Sequence, residues 1–502
     1  MTTASLTLAE ERGLSGLTLD SQVRKAFTQV PPMELAEAAR QLEAESFNRS
    51  FVYLRDGQTE AIRAMLRPIG LMPDQLAYLH FVSLTLINAL KRLPDLYIQD
   101  FNVRSVVPLT PPEEKWLWDN WGPSHRENNP VFGRLDAVID FTSPMWKDSL
   151  HFMEPNLSGV GGIHLIPTCE QMMADILMPR AQKYDPKLHL EPGQDLREMF
   201  IQEVLDHLDG IGRAGRNICF LEPKYSGDGP AEQAALAEYY RQLYGLSIFH
   251  ADPTELYMHD KEVLYNGRVV DVIYRDYEIR DMLYIEEEEG VDIKPLRHLF
   301  KHNRVISSLA GDFDHKSCWE ILTDPQFTQK YFSAEERQVF RRHVLWTRVL
   351  SDRRTSLLDG EMVDLLEYVR KDRDILVLKP NRSYGGDRVL IGPTLTDAEW
   401  EAAIEEAVRG GDAERDEEQW VVQRLTRIPV YEFPVLTDDG HMVMEPFYAV
   451  MGLAPTKYGL SILGRASQKM VVNVAQRGGL CAILIGKPTT RLFGPGATAR
   501  LG

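Results

Sequence analysis

Two short runs, Arg134-Leu-Asp136 leading to Asp140, and Glu154-Pro-Asn156 beyond an eleven-residue polar connection, decide how this chain is read. Arg134, Asp136 and Asp140 share parity, so on a strand they leave from one face, and Glu154 and Asn156 share a face on a second strand. One hairpin thereby converges three or four oxygen donors beside an arginine. Mg²⁺ takes hard oxygen donors of this kind, one or two carboxylates together with substrate phosphates, and accepts an amide carbonyl among them. A hairpin with a polar solvent face has the same spelling. Arg134 favours a site, because a guanidinium beside metal-bound carboxylates can meet a transferring phosphoryl group.

Far downstream, Val377-Leu-Lys379-Pro ends an apolar strand and is followed by Asn381-Arg-Ser-Tyr-Gly-Gly-Asp387. A lysine aimed from a strand end, beside a glycine turn whose amides fold over phosphates, makes a nucleotide grip. A glycine pair between strands is more often a tight turn and nothing more. Val421-Val-Gln423-Arg-Leu reads as a strand leaving a hinge, where backbone and an amide side chain could meet an adenine edge. Oxygen ligands beside an arginine and a lysine beside a glycine pair are together what Mg-ATP needs, which points to an ATP-using enzyme.

Composition narrows the classes. At 502 residues the chain has room for two to four domains and a large core. Hydrophobic residues at 44% and charged residues at 26% fit an ordinary globular protein, against both wholesale disorder and a membrane protein. Fifty-six basic against 74 acidic side chains leave a net charge of −18, which repels polyanions, so nucleic acid is not an expected partner. The acidic runs Glu286 to Glu289 and Asp412 to Glu418 read as solvated faces or loops. Cys169, Cys219, Cys318 and Cys481 lie far apart, without CxxC spacing, as in a reducing cytoplasm. Met1-Thr-Thr-Ala-Ser lacks the pattern of a secretory signal, and Leu76 to Leu90 is too short and too polar to span a bilayer.

Periodicity gives an α/β (α+β) chain. Residues 1–108 are expected to form an all-helical N-terminal region, with helices at Met33 to Phe47 and around Leu76 to Leu90, closed by Val107-Pro-Leu-Thr-Pro-Pro112. Residues 109–205 carry the acidic hairpin. Residues 206–299 read as a small α/β domain: Ile218-Cys-Phe-Leu221, a helix from Ala231 to Leu243, Ser247-Ile-Phe249 and the alternating Val269 to Tyr274. Residues 300–487 begin helical through Val349 and then supply strands at Ile375 to Leu378, Trp420 to Val422, Val443 to Met451 and Met470 to Val474. Thr396-Asp-Ala-Glu399 is a capping box opening a helix that stops at Gly410-Gly411. Residues 488–502 read as a flexible tail.

The segments together resemble the circularly permuted ATP-grasp ligases, the group that includes glutathionylspermidine synthetase. Order carries the resemblance: Arg134-x-Asp136 and Glu154-x-Asn156 precede the nucleotide-gripping lysines, whereas in the ordinary arrangement they follow. The resemblance implies phosphate contact for Arg134 and Mg²⁺ ligation by Asp136, Glu154 and Asn156, with Asp140 in reserve. It implies that Lys316, on a helix, and Lys379 hold the nucleotide under a loop at Gly385-Gly386. Gln423 falls at the hinge, and Arg465 and Asn473 lie near the site, with Arg134, Lys379 and Arg465 in catalytic roles. Two departures stand out: His315 precedes Lys316 where the family has asparagine, and the loop between Asp136 and Glu154 is longer than usual.

The implied activity is ATP-dependent ligation, in which a small-molecule or peptide carboxylate becomes an acyl phosphate and an amine then displaces phosphate. Arg275 and Tyr225 are expected substrate contacts, the arginine as a bidentate carboxylate clamp. Asn156 to Gly162 is expected to line the acceptor side, and Ser383 to Asp387 to close as a lid. A catalytically inactive ATP-binding scaffold, or a phosphotransferase on the same grip, fits the same residues.

Overall fold

The computed structural model describes residues 19–222, 224, 229–383, 385–386, 388–411, 419–437, 439–470, 472 and 478–486. Its centre is an antiparallel six-stranded sheet. The apolar run Met442–Thr456 supplies the longest strand, nearly all buried along its second half. On one edge it pairs with Gly459–Ser467, which continues to Gly479–Cys481. On the other edge it pairs with Val430–Leu436 and then, at Met451 to Leu453, with Arg134–Val138. His151–Asn156 completes the sheet beside Arg134–Val138. Residues more than 300 positions apart are thus neighbours in the centre of the fold.

Two smaller sheets flank this one. In the first, Leu376–Pro380 lies between Trp420–Arg424 and Leu390–Ile391, all antiparallel, with Thr347–Val349 beyond Trp420–Arg424. Trp346, Leu365, Trp400 and Ile404 fill the core between this sheet and the helices Leu365–Lys371 and Asp397–Gly411. The expected capping box is made: Glu399 accepts from the Thr396 amide at 2.8 Å, and the Glu399 amide donates back to the Thr396 hydroxyl at 3.3 Å. The second flanking sheet is parallel, in the order Val305–Ile306, Val272–Arg275, Asn217–Leu221, Ser247–Ala251. Its continuous apolar strands are those of a sheet covered on both faces.

Several expectations are corrected. The N-terminal region is not all helical: beside the helices Pro32–Asn48 and Pro73–Leu90 it holds the hairpin Val52–Arg55 and Gln58–Ala61 and the strand Ile69–Leu71. Asp56 and Gly57 make the hairpin turn with φ of 46° and 73°, both in the left-handed region. Nor does this region stand apart, because Ile69–Leu71 pairs in parallel with Ile483–Gly486, and Tyr53 and Leu54 pair with Pro230 and Gly229. The parallel sheet takes its fourth strand from Val305–Ile306, beyond the expected boundary at 299. Thr347–Val349 is a strand, not the end of a helix. The alternating run 269–274 is split into Arg268–Val269 and Val272–Arg275, which join different sheets. The tail lies outside the described residues. No helix among the described residues is long and apolar enough to cross a membrane.

Candidate active site

The acidic hairpin sets Arg134 opposite Asn156 and Asp136 opposite Glu154. Directly facing residues on adjacent strands present their side chains on one face, so the four expected groups form one patch. A bulge follows Asp136, where the register moves from Glu154 to Phe152. The strand ends at Val138, so parity no longer governs Asp140. That carboxylate instead accepts from the Thr142 amide and hydroxyl at 3.0 and 2.6 Å, and lines a different cavity. Its role as a reserve ligand is corrected on that ground.

Asp136 is buried between two guanidiniums, Arg134 Nε at 3.2 Å and Arg465 Nη2 at 2.8 Å. Burial alone would raise its pKa, but Arg465 and Arg134 outweigh it and hold the carboxyl below its ordinary range. Gly452 makes room for this arrangement, since a Cβ there would lie 2.5 Å from Arg134 Cδ. Arg134 also donates to the Gly161 carbonyl at 2.7 Å. The loop that carries Gly161 is fixed by the buried carboxylate of Glu232, which accepts from the amides of Gly162, His164 and Leu165 at 2.5, 2.8 and 3.0 Å.

Lys379 is buried and donates to Gln423 Oε1 at 2.8 Å. Burial pushes its pKa down, and Glu154 opposes that shift while Lys316 adds to it. The Gln423 amide donates to the Met153 carbonyl at 2.8 Å and to Thr347 Oγ1 at 2.9 Å. Through its contacts to Lys379 and Met153, Gln423 ties the lysine strand to the acidic hairpin, and the bond to Thr347 fixes its amide against the edge strand Thr347–Val349. The expected reading of an adenine edge by its side chain is therefore corrected to positioning of Lys379. Lys316 lies in the turn before the helix Cys318–Thr323, not on a helix, with Nζ bonded to the Ser383 carbonyl and 3.7 Å from Glu154 Oε2. Gly385 and Gly386 have φ of 72° and 73°, a conformation that favours glycine.

These groups border one cavity of about 560 Å³, lined by Arg134, Asp136, Glu154, Asn156, Lys379, Gly385, Gly386, Gln423 and Arg465. Apolar residues, among them Met153, Leu345, Val377 and Ile428, line it near the segment from Arg424 to Thr426. Toward the parallel sheet it is bordered by Ser158, Gly159, Asp276, Glu278, Arg280 and Asp281. Burial, reinforced by neighbouring carboxylates, raises Asp276 to about 7 and Asp281 to about 6. The sequence reading missed Asp276, although it directly follows the parallel strand Val272–Arg275, and carboxyl ends of parallel strands are where such sheets present ligand contacts.

Arg275 does not reach the cavity. It is fully buried and bonded to Asp312 at 2.6 and 3.2 Å and to the carbonyls of Tyr277, Ser307 and Ser308. With all three guanidinium nitrogens engaged, it braces the chain and is not a substrate clamp. Tyr225 and Asn473 lie outside the described residues, as do Tyr384 and Asp387 of the expected lid. Among the described residues no three carboxylate, histidine or cysteine side chains gather as a metal cluster, so the oxygen set here is two carboxylates with the amide of Asn156.

No protein-family model matches the chain, and no curated protein matches it in sequence. Among solved structures, it is similar to the apo form of a glutathione synthetase-like effector from Globodera pallida. That similarity has 12% identity and a TM-score of 0.59, and covers 90% of this chain and 97% of that one. The fold is thus a mixed α/β one resembling that of a glutathione synthetase-like protein.

Proposed function

We propose that this chain is an ATP- and Mg²⁺-dependent carboxylate–amine ligase on a circularly permuted ATP-grasp fold, joining a small-molecule or peptide carboxylate to an amine in the cytoplasm. The observation that carries the reading is the facing pair Asp136 and Glu154, with Asn156 beside them, bordering the same cavity as Lys379 and the Gly385-Gly386 turn. Permutation is supported by the pairing of Arg134–Val138 with Met442–Thr456, strands that lie on either side of the lysine segment in sequence. The glutathione synthetase-like fold agrees with this reading.

The donor set fits Mg²⁺: two carboxylates and an amide oxygen, all hard, on rigid neighbouring strands. When bound, the ion supplies charge neutralisation at the phosphates. The protein's part is positioning and electrostatics, and no side-chain nucleophile is required. Arg134, Lys316 and Lys379 hold the charge that accumulates on the transferred group. Arg465 keeps Asp136 ionised. The apolar walls near Arg424 to Thr426 receive the base, and the end bordered by Ser158, Asp276 and Asp281 receives the amine. Closure of the Gly385-Gly386 turn keeps water from the acyl phosphate.

Calorimetric titration of ATP with Mg²⁺ into the wild-type chain and Lys379→Ala tests the grip without knowledge of the substrates. Binding that the variant loses supports it, and a screen of acid and amine pairs for ADP release then tests ligation. ADP release that needs no amine and leaves a stable phosphorylated product would assign a phosphotransferase instead. ATP binding without any turnover would assign a scaffold.

A further inference from the structure

A second cavity, about 790 Å³, lies beside the first and shares Leu345 and the segment Arg424 to Thr426 with it. Its charge is opposite to that of the chain as a whole. Arg341, Arg342, Arg424 and Arg427 border it, against the two carboxylates Asp140 and Asp359, in a protein of net charge −18. Arg341 and Arg342 sit in the last turn of the helix Ala334–His343, where cations offset the helix dipole, so their presence there has a local reason. Arg424 and Arg427 have none of that kind: they come from a strand end and the loop after it.

The arginines are also under-used. Arg342 pairs with Asp148 at 2.7 Å, and among the described residues the Arg424 side chain reaches only the Tyr368 hydroxyl, at 3.4 Å. Arg341 and Arg427 make no side-chain hydrogen bond or ion pair to any described residue. Guanidiniums from separate elements that border one cleft, with Trp346, Leu357 and Leu358 as apolar walls, focus a positive field that surface lysines scattered singly would not. Arginine forks match carboxylate and phosphate oxygens in bidentate fashion.

We propose that this cleft is a second ligand site, separate from the nucleotide cavity, for a small polyanion bearing two or more phosphate or carboxylate groups. An occupant held by Arg424 and Arg427 bears directly on the wall that the two cavities share.

The test is calorimetric titration of tripolyphosphate, and separately of citrate, into the full chain in metal-free buffer, with wild type, Arg341→Ala/Arg427→Ala and Lys379→Ala compared. At least one probe is expected to bind wild type at one equivalent. The double arginine variant should weaken it on the order of tenfold or more, as removal of charged hydrogen-bond partners does, while Lys379→Ala leaves it within about twofold. Tighter tripolyphosphate assigns a phosphate ligand, and tighter citrate a carboxylate one. Absence of stoichiometric binding by both probes overturns the proposal, as does binding that Lys379→Ala removes and the arginine variant does not. Both arginines are exposed, so the variant is expected to fold. Arg427→Ala alone, with a smaller loss in the same direction, guards against an effect on the Ala334–His343 helix.

Discussion

Asp136 and Asp312 are both buried aspartates paired to arginine, and they do opposite things. Asp136 has two guanidiniums, Arg134 and Arg465, and borders the 560 Å³ cavity. Asp312 has one, Arg275, and also accepts from the Ile279 amide at 2.8 Å, and it lines neither the 560 Å³ nor the 790 Å³ cavity. At Asp136 the positive charge exceeds the negative, which leaves attraction for an incoming anion. At Asp312 every donor and acceptor is matched within the protein. An arginine beside an aspartate therefore marks a site only where charge is left over toward a cavity, and elsewhere it is a brace.

The largest expected effect separates the two directly. Arg275→Ala leaves Asp312 buried without its partner, which should cost about 3–5 kcal/mol of stability, the usual loss when one member of a buried pair is removed. Denaturant unfolding measures it, and a loss under about 1 kcal/mol would mean that Arg275 is not a brace. Next comes Glu154→Ala, or Asn156→Ala, which should abolish Mg²⁺-dependent ADP release, a loss of roughly 3 kcal/mol or more of transition-state stabilisation. Their unfolding midpoints should stay close to wild type, since both side chains are only half-buried at the cavity. Unchanged turnover would sink the metal assignment.

How much of this was legible follows from how local each feature is. The alternation of Arg134 with Asp136 and of Glu154 with Asn156 is set within single strands, so parity alone placed these four groups on shared faces. Their mutual register, Asp136 to Glu154, also needed only the hairpin. What supports them was out of reach: Gly452 under Arg134, and Met153 and Thr347 on the Gln423 amide, come from partners 76 to more than 300 positions away. Arg275 failed for the same reason, because nothing in Tyr274-Arg275 foretells Asp312. The N-terminal hairpin is a different kind of miss. Asp56-Gly57 between two short strands is a local turn signal, and helical composition on both sides masked it.

A smaller effect tests which lysine faces the phosphates. Lys379→Ala should weaken Mg-ATP more than Lys316→Ala. Lys379 borders the 560 Å³ cavity, whereas the Lys316 ammonium is engaged with the Ser383 carbonyl and Glu154. Loss of a charged hydrogen-bond donor typically costs about 1.5–3 kcal/mol, so the Lys379 effect should exceed tenfold in Kd by roughly that measure. Calorimetry that ranks them the other way would move the phosphate grip to Lys316 and make Lys379 the structural member of the pair.

The smallest effect is the sharpest on the comparison itself, since the two aspartates should tilt stability against pH in opposite directions. Burial raises Asp136, but Arg465 and Arg134 pull it further down, to a folded value below the ordinary 3.8. Its contribution is present above that ordinary value and is lost as pH falls through the folded one. Burial raises Asp312 more than Arg275 lowers it, so its folded value lies above 3.8. Its contribution is full below the ordinary value and is lost as pH rises through the folded one. One proton changes stability by at most about 1.4 kcal/mol per pH unit, so slopes rather than absolute stabilities are the readout. In metal-free buffer from about pH 3 to 7, Asp136→Asn should flatten the fall on the acid side, and Asp312→Asn the fall toward neutral pH. Exchange of the two slopes would mean that the second guanidinium at Asp136 does not decide its charge, and the distinction between a site and a brace would have to rest on cavity access alone.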